Sequence, residues 1–229
     1  MSDLPFLHRL PEPDRANVIA QMAVQRFGPH EIVIAQNDDS NDVFFVIEGM
    51  ARVTIFSVDG KIVAFRDITA GDIFGELAAI DHAPRAASIV AVGTLRVGRL
   101  ARSRFCSLIH GNAAFRVTLL QHLTTQVRGM TERIFEYSTM MVRERLVEEL
   151  LRLAEAAGAN QGEAALHPAP THFDLATRIS THREAVSREM SRLAKLKLLT
   201  KKTGNLLQLD LDGLRALRSV EDNGADWPG

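Results

Sequence analysis

Between Glu31 and Leu100 the apolar residues come in short runs, EIVIA, DVFFVI, ARVTIF, KIVAFRDI, ASIVAV and LRVGRL, each rich in Val, Ile or Phe. The breaks between them, QNDDSND, EGM, VDGK, TAGD and VGT, are polar or glycine-bearing. β-Branched and aromatic side chains suit a pleated surface, and such breaks suit tight turns. The pattern therefore predicts several short strands at regular spacing, a β-barrel or β-roll rather than a parallel sheet. Ahead of it, residues 1 to about 27 read as a short helical lead-in.

From Arg102 the apolar period becomes helical. Leu120, Leu123, Val127, Met130, Ile134, Tyr137 and Met141 recur in alternating steps of three and four. That is a heptad seam, and a one-sided seam of this regularity predicts a dimer coiled coil; packing of the helix on the β-roll is the plainer alternative. A second helix, roughly Val142 to Ala157, carries Leu146, Leu150, Leu151 and Leu153. GANQGEAALHPAP, ending at Pro170, then reads as a loop. A domain boundary is expected near Tyr137–Met141, with a small C-terminal domain beyond it.

In the segment THFDLATRISTHREAVSREMSRLAKLKLL, Thr171 and Asp174 have capping-box spacing, and so do Thr181 and Glu184. Leu175, Ala176, Ile179, Val186, Met190 and Leu193 are spaced as the inner face of two crossing helices. Arg183, Ser187, Arg188 and Arg192 fall on the other side of the second helix. KKTGNLLQLDL follows as a hairpin with Gly-Asn in its turn. This is the pattern of a winged helix-turn-helix, whose second helix enters the major groove of double-stranded DNA. Arginine matches the O6 and N7 acceptors of guanine, and Glu184 can accept from a cytosine amino group or cap its own helix. Lys195, Lys197, Lys201 and Lys202 suit phosphates. A solvated basic helix in an ordinary bundle is the plainer reading.

Whole-chain charge adds little: 229 residues carry a net charge of −1. Local charge says more, since residues 171–205 hold eight Lys/Arg against three Asp/Glu. One cysteine, Cys106, makes neither an internal disulfide nor an all-cysteine metal site, and the histidines show no ligand spacing. No metal is expected. No apolar run approaches the ~20 residues that span a bilayer, and MSDLPFLHRLPEPD lacks the form of a secretion signal. A cytoplasmic protein is expected, with a frayed tail, EDNGADWPG. No nucleophile–base arrangement points to an enzyme.

The stretch FGELAAIDHAPRAAS, Phe74 to Ser88, interrupts the strand pattern. Gly75 permits close backbone approach, Glu76 offers two acceptor oxygens, and Pro84 fixes the chain before Arg85. The Arg85 fork suits phosphate, and Ala86 and Ala87 leave room. Carboxylate for sugar hydroxyls and guanidinium for phosphate together make a ribose-phosphate clamp; an ordinary surface ion pair is the plainer reading.

These residues closely resemble the phosphate-binding cassette of cyclic-nucleotide-binding domains, F-G-E-[LM]-A, a variable loop, then P-R-A-A. HREAVSRE resembles the recognition segment S-R-E-x-V-[GS]-R of the Crp/Fnr superfamily of transcription regulators, the family of the cAMP receptor protein. The resemblance spans essentially the whole chain. It implies an α+β protein with a cyclic-nucleotide-binding β-roll over residues 1–112, a dimerisation helix over 113–140 and a winged helix-turn-helix over 141–229.

By position, Gly75 and Leu77 would make backbone contacts near ribose and phosphate. Glu76 would bind the ribose 2′-hydroxyl, Arg85 would pair with the cyclic phosphate, and Ala86 would donate its N–H. Met130 and Thr131 fall where the family contacts the purine, one residue from each subunit, and Met130 departs from the threonine of the family's best-known member. Arg183, Glu184, Ser187 and Arg188 fall on the base-reading helix, with Lys201 behind them, implying a palindrome of G-T-G-A half-sites. Ala86 favours cAMP, and cGMP stays open. Asn37 and Ser180 stand where the family often has glycine. The implied protein is an allosteric homodimer that binds DNA and contacts RNA polymerase, for which the loop Gly158–Pro170 is a candidate surface. The alternative is a regulator of the same fold whose pocket is vestigial or takes another ligand.

Overall fold

The computed structural model describes residues 5–8, 10–56 and 62–221. In chain order the elements are α1 (Pro5–His8), α2 (Asp14–Ala20), β1 (Ala23–Phe27), β2 (Ile32–Ile34), β3 (Val43–Glu48), β4 (Met50–Phe56), β5 (Ile62–Thr69), β6 (Ile73–Phe74), α3 (Glu76–Asp81), β7 (Ser88–Ala91), β8 (Leu95–Leu100), α4 (Arg102–Gly111), α5 (Ala113–Thr139), α6 (Val142–Ala156), β9 (Glu163–Leu166), α7 (His172–Arg178), α8 (Arg183–Lys195), β10 (Leu199–Lys202), β11 (Leu206–Asp210) and α9 (Leu211–Glu221). Two compact units, residues 1–130 and 131–229, divide inside α5, ahead of the boundary expected near Tyr137–Met141. The turn VDGK and the tail from residue 222 lie outside the described residues.

The first unit is built on two antiparallel four-stranded sheets, ordered β1-β8-β3-β6 and β2-β7-β4-β5. Alternate residues of a strand face opposite sides, and β3 is buried on both. Phe44 and Val46 join Ile34, Ile68, Phe74 and Leu95 in the core of the roll. Val43 and Phe45 join Leu7, Val18, Phe105 and Phe115 from the helices. That double burial is why DVFFVI is continuously apolar rather than alternating. Phe6 meets Phe45 and Phe115 edge-on at 5.8 and 5.9 Å, tying α1 to α5 through the helical side of this core.

The helical lead-in ends at Ala20, because Ala23–Phe27 forms β1, paired from Ala23 opposite Arg99 to Phe27 opposite Leu95. These residues are exposed or half-buried; Phe27 packs against the core of the roll, and the rest of the strand is held by backbone pairing.

In the second unit, Leu146, Leu150, Leu175, Ile179, Val186, Met190, Leu193, Leu207 and Leu209 close one core. All six residues expected on the inner face of the helix pair are buried. The hairpin β10–β11 turns through Gly204 and Asn205, both at positive φ. The stretch read as a loop contains β9, which pairs with β11 to make a three-stranded sheet. Ala164 and Leu166 of β9 are buried beside it.

Glu149, only 1% exposed, holds three arginines: Arg133 of α5 at 2.8 Å, Arg152 of α6 at 2.6 Å and Arg178 of α7 at 3.1 Å. Glu136 takes the other side of Arg152 at 2.5 Å. The Tyr137 hydroxyl donates to the Arg178 carbonyl at 2.9 Å, with the Arg145 guanidinium over its ring. Tyr137 is thus engaged within its own unit, and Leu123 packs on the first unit's helical core. Leu120, Val127, Met130, Ile134 and Met141 stay exposed from the expected seam.

Candidate functional site

The cassette is pinned by core residues on both sides of Gly75. Ile73 enters the helical core of the first unit, and Phe74 stacks on Phe44 at 5.1 Å inside the roll. Gly75 then takes φ +83°, the left-handed region, and starts α3. A Cβ there would lie 2.8 Å from the Arg85 guanidinium and 2.9 Å from the Asp42 carbonyl oxygen, so glycine is required by space as well as by dihedral. Ala79 anchors α3 in the core, and the helix ends at His82, φ +63°. The Asp81 carboxylate accepts from the Ala83 N–H, turning the chain toward Pro84. Arg85 is then clipped to the loop before β3. Its N–H donates to the Asp38 carbonyl and its carbonyl accepts from the Asn37 N–H, both at 2.9 Å. Asn37 holds φ +66° there.

Glu76 and Arg85 are each only 3% exposed, so a surface ion pair does not describe them. Nor do they bond to each other. The Arg85 guanidinium donates through Nε to Ser40 Oγ at 3.1 Å and through its two terminal nitrogens to the Gly75 and Asp42 carbonyl oxygens, both at 2.8 Å. Each terminal nitrogen keeps a second N–H. Burial draws the Arg85 pKa down, opposed by Asp42, Asp38 and Glu76; arginine stays cationic throughout the working pH range. Glu76 accepts one hydrogen bond among the described residues, from Gln126 Nε2 of α5 at 3.2 Å. The backbone N–H of exposed Ala86 is used by none of the described residues.

The fold therefore gathers Gly75, Glu76, Arg85 and Ala86 around one short loop, with Leu77 exposed on α3 beside them. Met130 and Thr131 are exposed on α5. The sequence reading missed Ser40, the Asp42 carbonyl and Gln126. Ser40 and Asp42 lie in QNDDSND, whose composition signals only a turn, and a lone glutamine on a helix carries no signal of its own.

In the second unit Thr171 caps α7 as its spacing predicts. The Asp174 N–H donates to Thr171 Oγ1 at 3.0 Å and the Thr171 N–H donates back to the Asp174 carboxylate at 3.3 Å. The second expected box does not form. His182, not Thr181, is the N-cap of α8, without a side-chain cap bond, because the Thr181 N–H donates to the Ala176 carbonyl and closes the turn one residue later. Ser180 takes φ +51° in that turn. Glu184 is left exposed, as are Arg183 and Arg188; Ser187 is half-buried. Arg192 instead pairs with Glu189 at 2.9 Å. Lys195, Lys197, Lys201 and Lys202 are exposed. Lys201 Nζ lies 3.4 Å from His172 Nε2, and burial, then Lys201 and Arg183, pull the His172 pKa below the ordinary histidine value.

Residues 24–112 match the cyclic nucleotide-binding domain family, and residues 144–217 match the Crp-like helix-turn-helix domain family. The chain belongs to the Crp/Fnr superfamily. Among characterised relatives, the transcriptional regulator SdrP of Thermus thermophilus is 26% identical over 179 residues, covering 78% of this chain and 85% of SdrP. A cAMP-dependent protein kinase regulatory subunit of Mycosarcoma maydis is 33% identical over 100 residues, which is 44% of this chain but 19% of that protein's length. The structure of a CooA variant from Carboxydothermus hydrogenoformans superposes with a TM-score of 0.77 at 22% identity, covering 94% of this chain and 96% of that one, a likeness of fold. The chain thus combines a cyclic nucleotide-binding domain with a Crp-like helix-turn-helix domain, and it spans about a fifth of the length of the kinase regulatory subunit it matches. Among the described residues no helix is long and apolar enough to cross a membrane, and no three His, Cys, Asp or Glu side chains are grouped to hold a metal ion.

Proposed function

We propose that this regulator is a homodimer that takes cAMP as its allosteric ligand and then binds palindromic DNA with G-T-G-A half-sites. One observation carries the ligand reading. Two buried groups of opposite charge, Glu76 and Arg85, stand in one cassette without pairing, and each keeps hydrogen-bonding capacity that none of the described residues uses. Burying unspent charge is unfavourable unless a partner arrives. A cyclic nucleotide supplies both partners. Its phosphate takes the remaining Arg85 N–H groups and the Ala86 N–H, and its 2′-hydroxyl donates to Glu76. Gly75 and Leu77 offer backbone groups beside them, and Met130 and Thr131 are the purine contacts. Ala86 lacks the hydroxyl that would favour cGMP.

For DNA, exposed Arg183, Glu184 and Arg188 read base edges, with Ser187 beside them, and Lys201 binds phosphate. Residues 113–140 form the dimer helix, which places two recognition helices about 34 Å apart, one DNA turn. The DNA-bound dimer then contacts RNA polymerase.

Calorimetric titration with cAMP and cGMP, followed by anisotropy on a fluorescent palindromic duplex with and without nucleotide, tests the reading. Tight cAMP binding that raises duplex affinity is expected. Heat from neither nucleotide, with unchanged duplex binding, would replace this reading by that of a regulator whose pocket is vestigial or takes another ligand.

A further inference from the structure

Among the described residues Glu76 has one donor, Gln126, and the same Gln126 nitrogen lies 2.5 Å from His122 Nε2, one turn back on α5. A carboxylate accepts only, so Gln126 must turn its NH2 toward Glu76. One N–H of that amide serves Glu76, and the other points to His122. His122 Nε2 therefore accepts, which makes the ring neutral with its proton on Nδ1. The ring in turn packs edge-on against Phe6 at 5.6 Å, with an interplanar angle of 83°. The order of donation is Gln126 to Glu76 and Gln126 to His122. The imidazole fixes the rotation of the amide, and the amide fixes one oxygen of the carboxylate.

We propose that His122 is a positioning residue for the nucleotide site: acting through Gln126, it holds the Glu76 carboxylate in the orientation that receives a ribose 2′-hydroxyl. Without an acceptor at residue 122, the second N–H of Gln126 loses its partner, the amide rotates, and Glu76 must orient itself when the ligand arrives. The chain also links the carboxylate directly to α5, so a ligand that pulls on Glu76 pulls on Gln126 and His122. The inference rests on reading Glu76 as the ribose contact.

The test uses the full-length protein, with affinities for cAMP and 2′-deoxy-cAMP measured for wild type, His122→Phe, His122→Gln, Gln126→Ala and the His122→Phe/Gln126→Ala double variant. Phenylalanine keeps the ring against Phe6 and removes the acceptor; glutamine restores an acceptor at nearly the same reach. A hydrogen bond's net worth sets the scale: His122→Phe should weaken cAMP roughly three- to ten-fold. It should leave 2′-deoxy-cAMP unchanged, His122→Gln should recover most of the loss, and the double variant should bind no more weakly than Gln126→Ala alone. Equal weakening for both nucleotides, or additive losses in the double variant, would overturn the inference while leaving the ribose reading in place. Wild type binding cAMP and its 2′-deoxy analogue equally, or binding neither, would overturn the ribose reading and the inference with it.

Discussion

Gly75 sits at φ +83° with no room for a Cβ between the Arg85 guanidinium and the Asp42 carbonyl. Gly75→Ala must both strain the backbone and displace the Arg85 guanidinium and the Asp42 carbonyl that accepts from it. The left-handed conformation alone costs an alanine about 1–2 kcal/mol, and the displaced arginine should cost nucleotide affinity well beyond that. The variant should melt at a lower temperature and lose most of its cAMP binding, read by calorimetry on protein verified as folded. At this scale the sequence was most informative where chemistry is concentrated. A glycine, a carboxylate and an arginine in a short apolar context can be picked out without a structure, and Asn37 and Ser180, standing where glycine is usual, do occupy positive φ. Gln126 and His122 could not be picked out, because polar residues four apart on a helix look like any solvated face. Only the fold brings Glu76, fifty positions away, to the same amide.

Among the elements, the short Val/Ile/Phe runs became strands because side-chain shape and burial agree there. The exceptions are strands that pairing imposes. β9, EAAL, is made of good helix formers, yet it completes the sheet beside β11, where Ala164 and Leu166 are buried. β6 has two residues and α3 six, too short for any period to show. The heptad seam was legible as a period but not as a partition. Tyr137 turns to the Arg178 carbonyl, and Leu123 to the helical core. The Glu149 cluster was invisible in sequence, since its arginines come from three helices. It joins the last turns of α5 to α6 and to the first helix of the helix-turn-helix. Removing one member of a buried charged cluster leaves the others uncompensated, at about 3–5 kcal/mol for fully buried pairs. Arg152 is about a third exposed, at 35%, so water screens part of that loss. Glu149→Ala is therefore expected to cost about 2–3 kcal/mol, seen as a lower urea midpoint. Its nucleotide affinity should stay near wild type, because no residue of the cluster is among the proposed nucleotide contacts.

For the molecule as a whole, net charge is −1, while residues 171–205 carry eight Lys/Arg against three Asp/Glu. Association with DNA must therefore be driven by one region rather than by the protein's overall field. Val127 and Ile134, seven residues apart and both exposed, are the apolar seam positions on which the proposed dimer depends. Ile134→Glu places a carboxylate in that seam and should yield a monomer by analytical ultracentrifugation. The monomer engages one half-site instead of two, so it releases half the counterions. The slope of log affinity against log salt is about −0.9 per phosphate neutralised, and it should halve in Ile134→Glu. In the intact dimer Lys201→Ala removes one phosphate contact per protomer, so its slope should become shallower by about 1.8, with sequence preference unchanged. Arg183→Ala should do the reverse, keeping most of the slope while narrowing the gap between cognate and scrambled duplexes. A slope in Ile134→Glu equal to that of wild type would mean that one protomer makes all the phosphate contacts, and the two-half-site geometry would have to be given up.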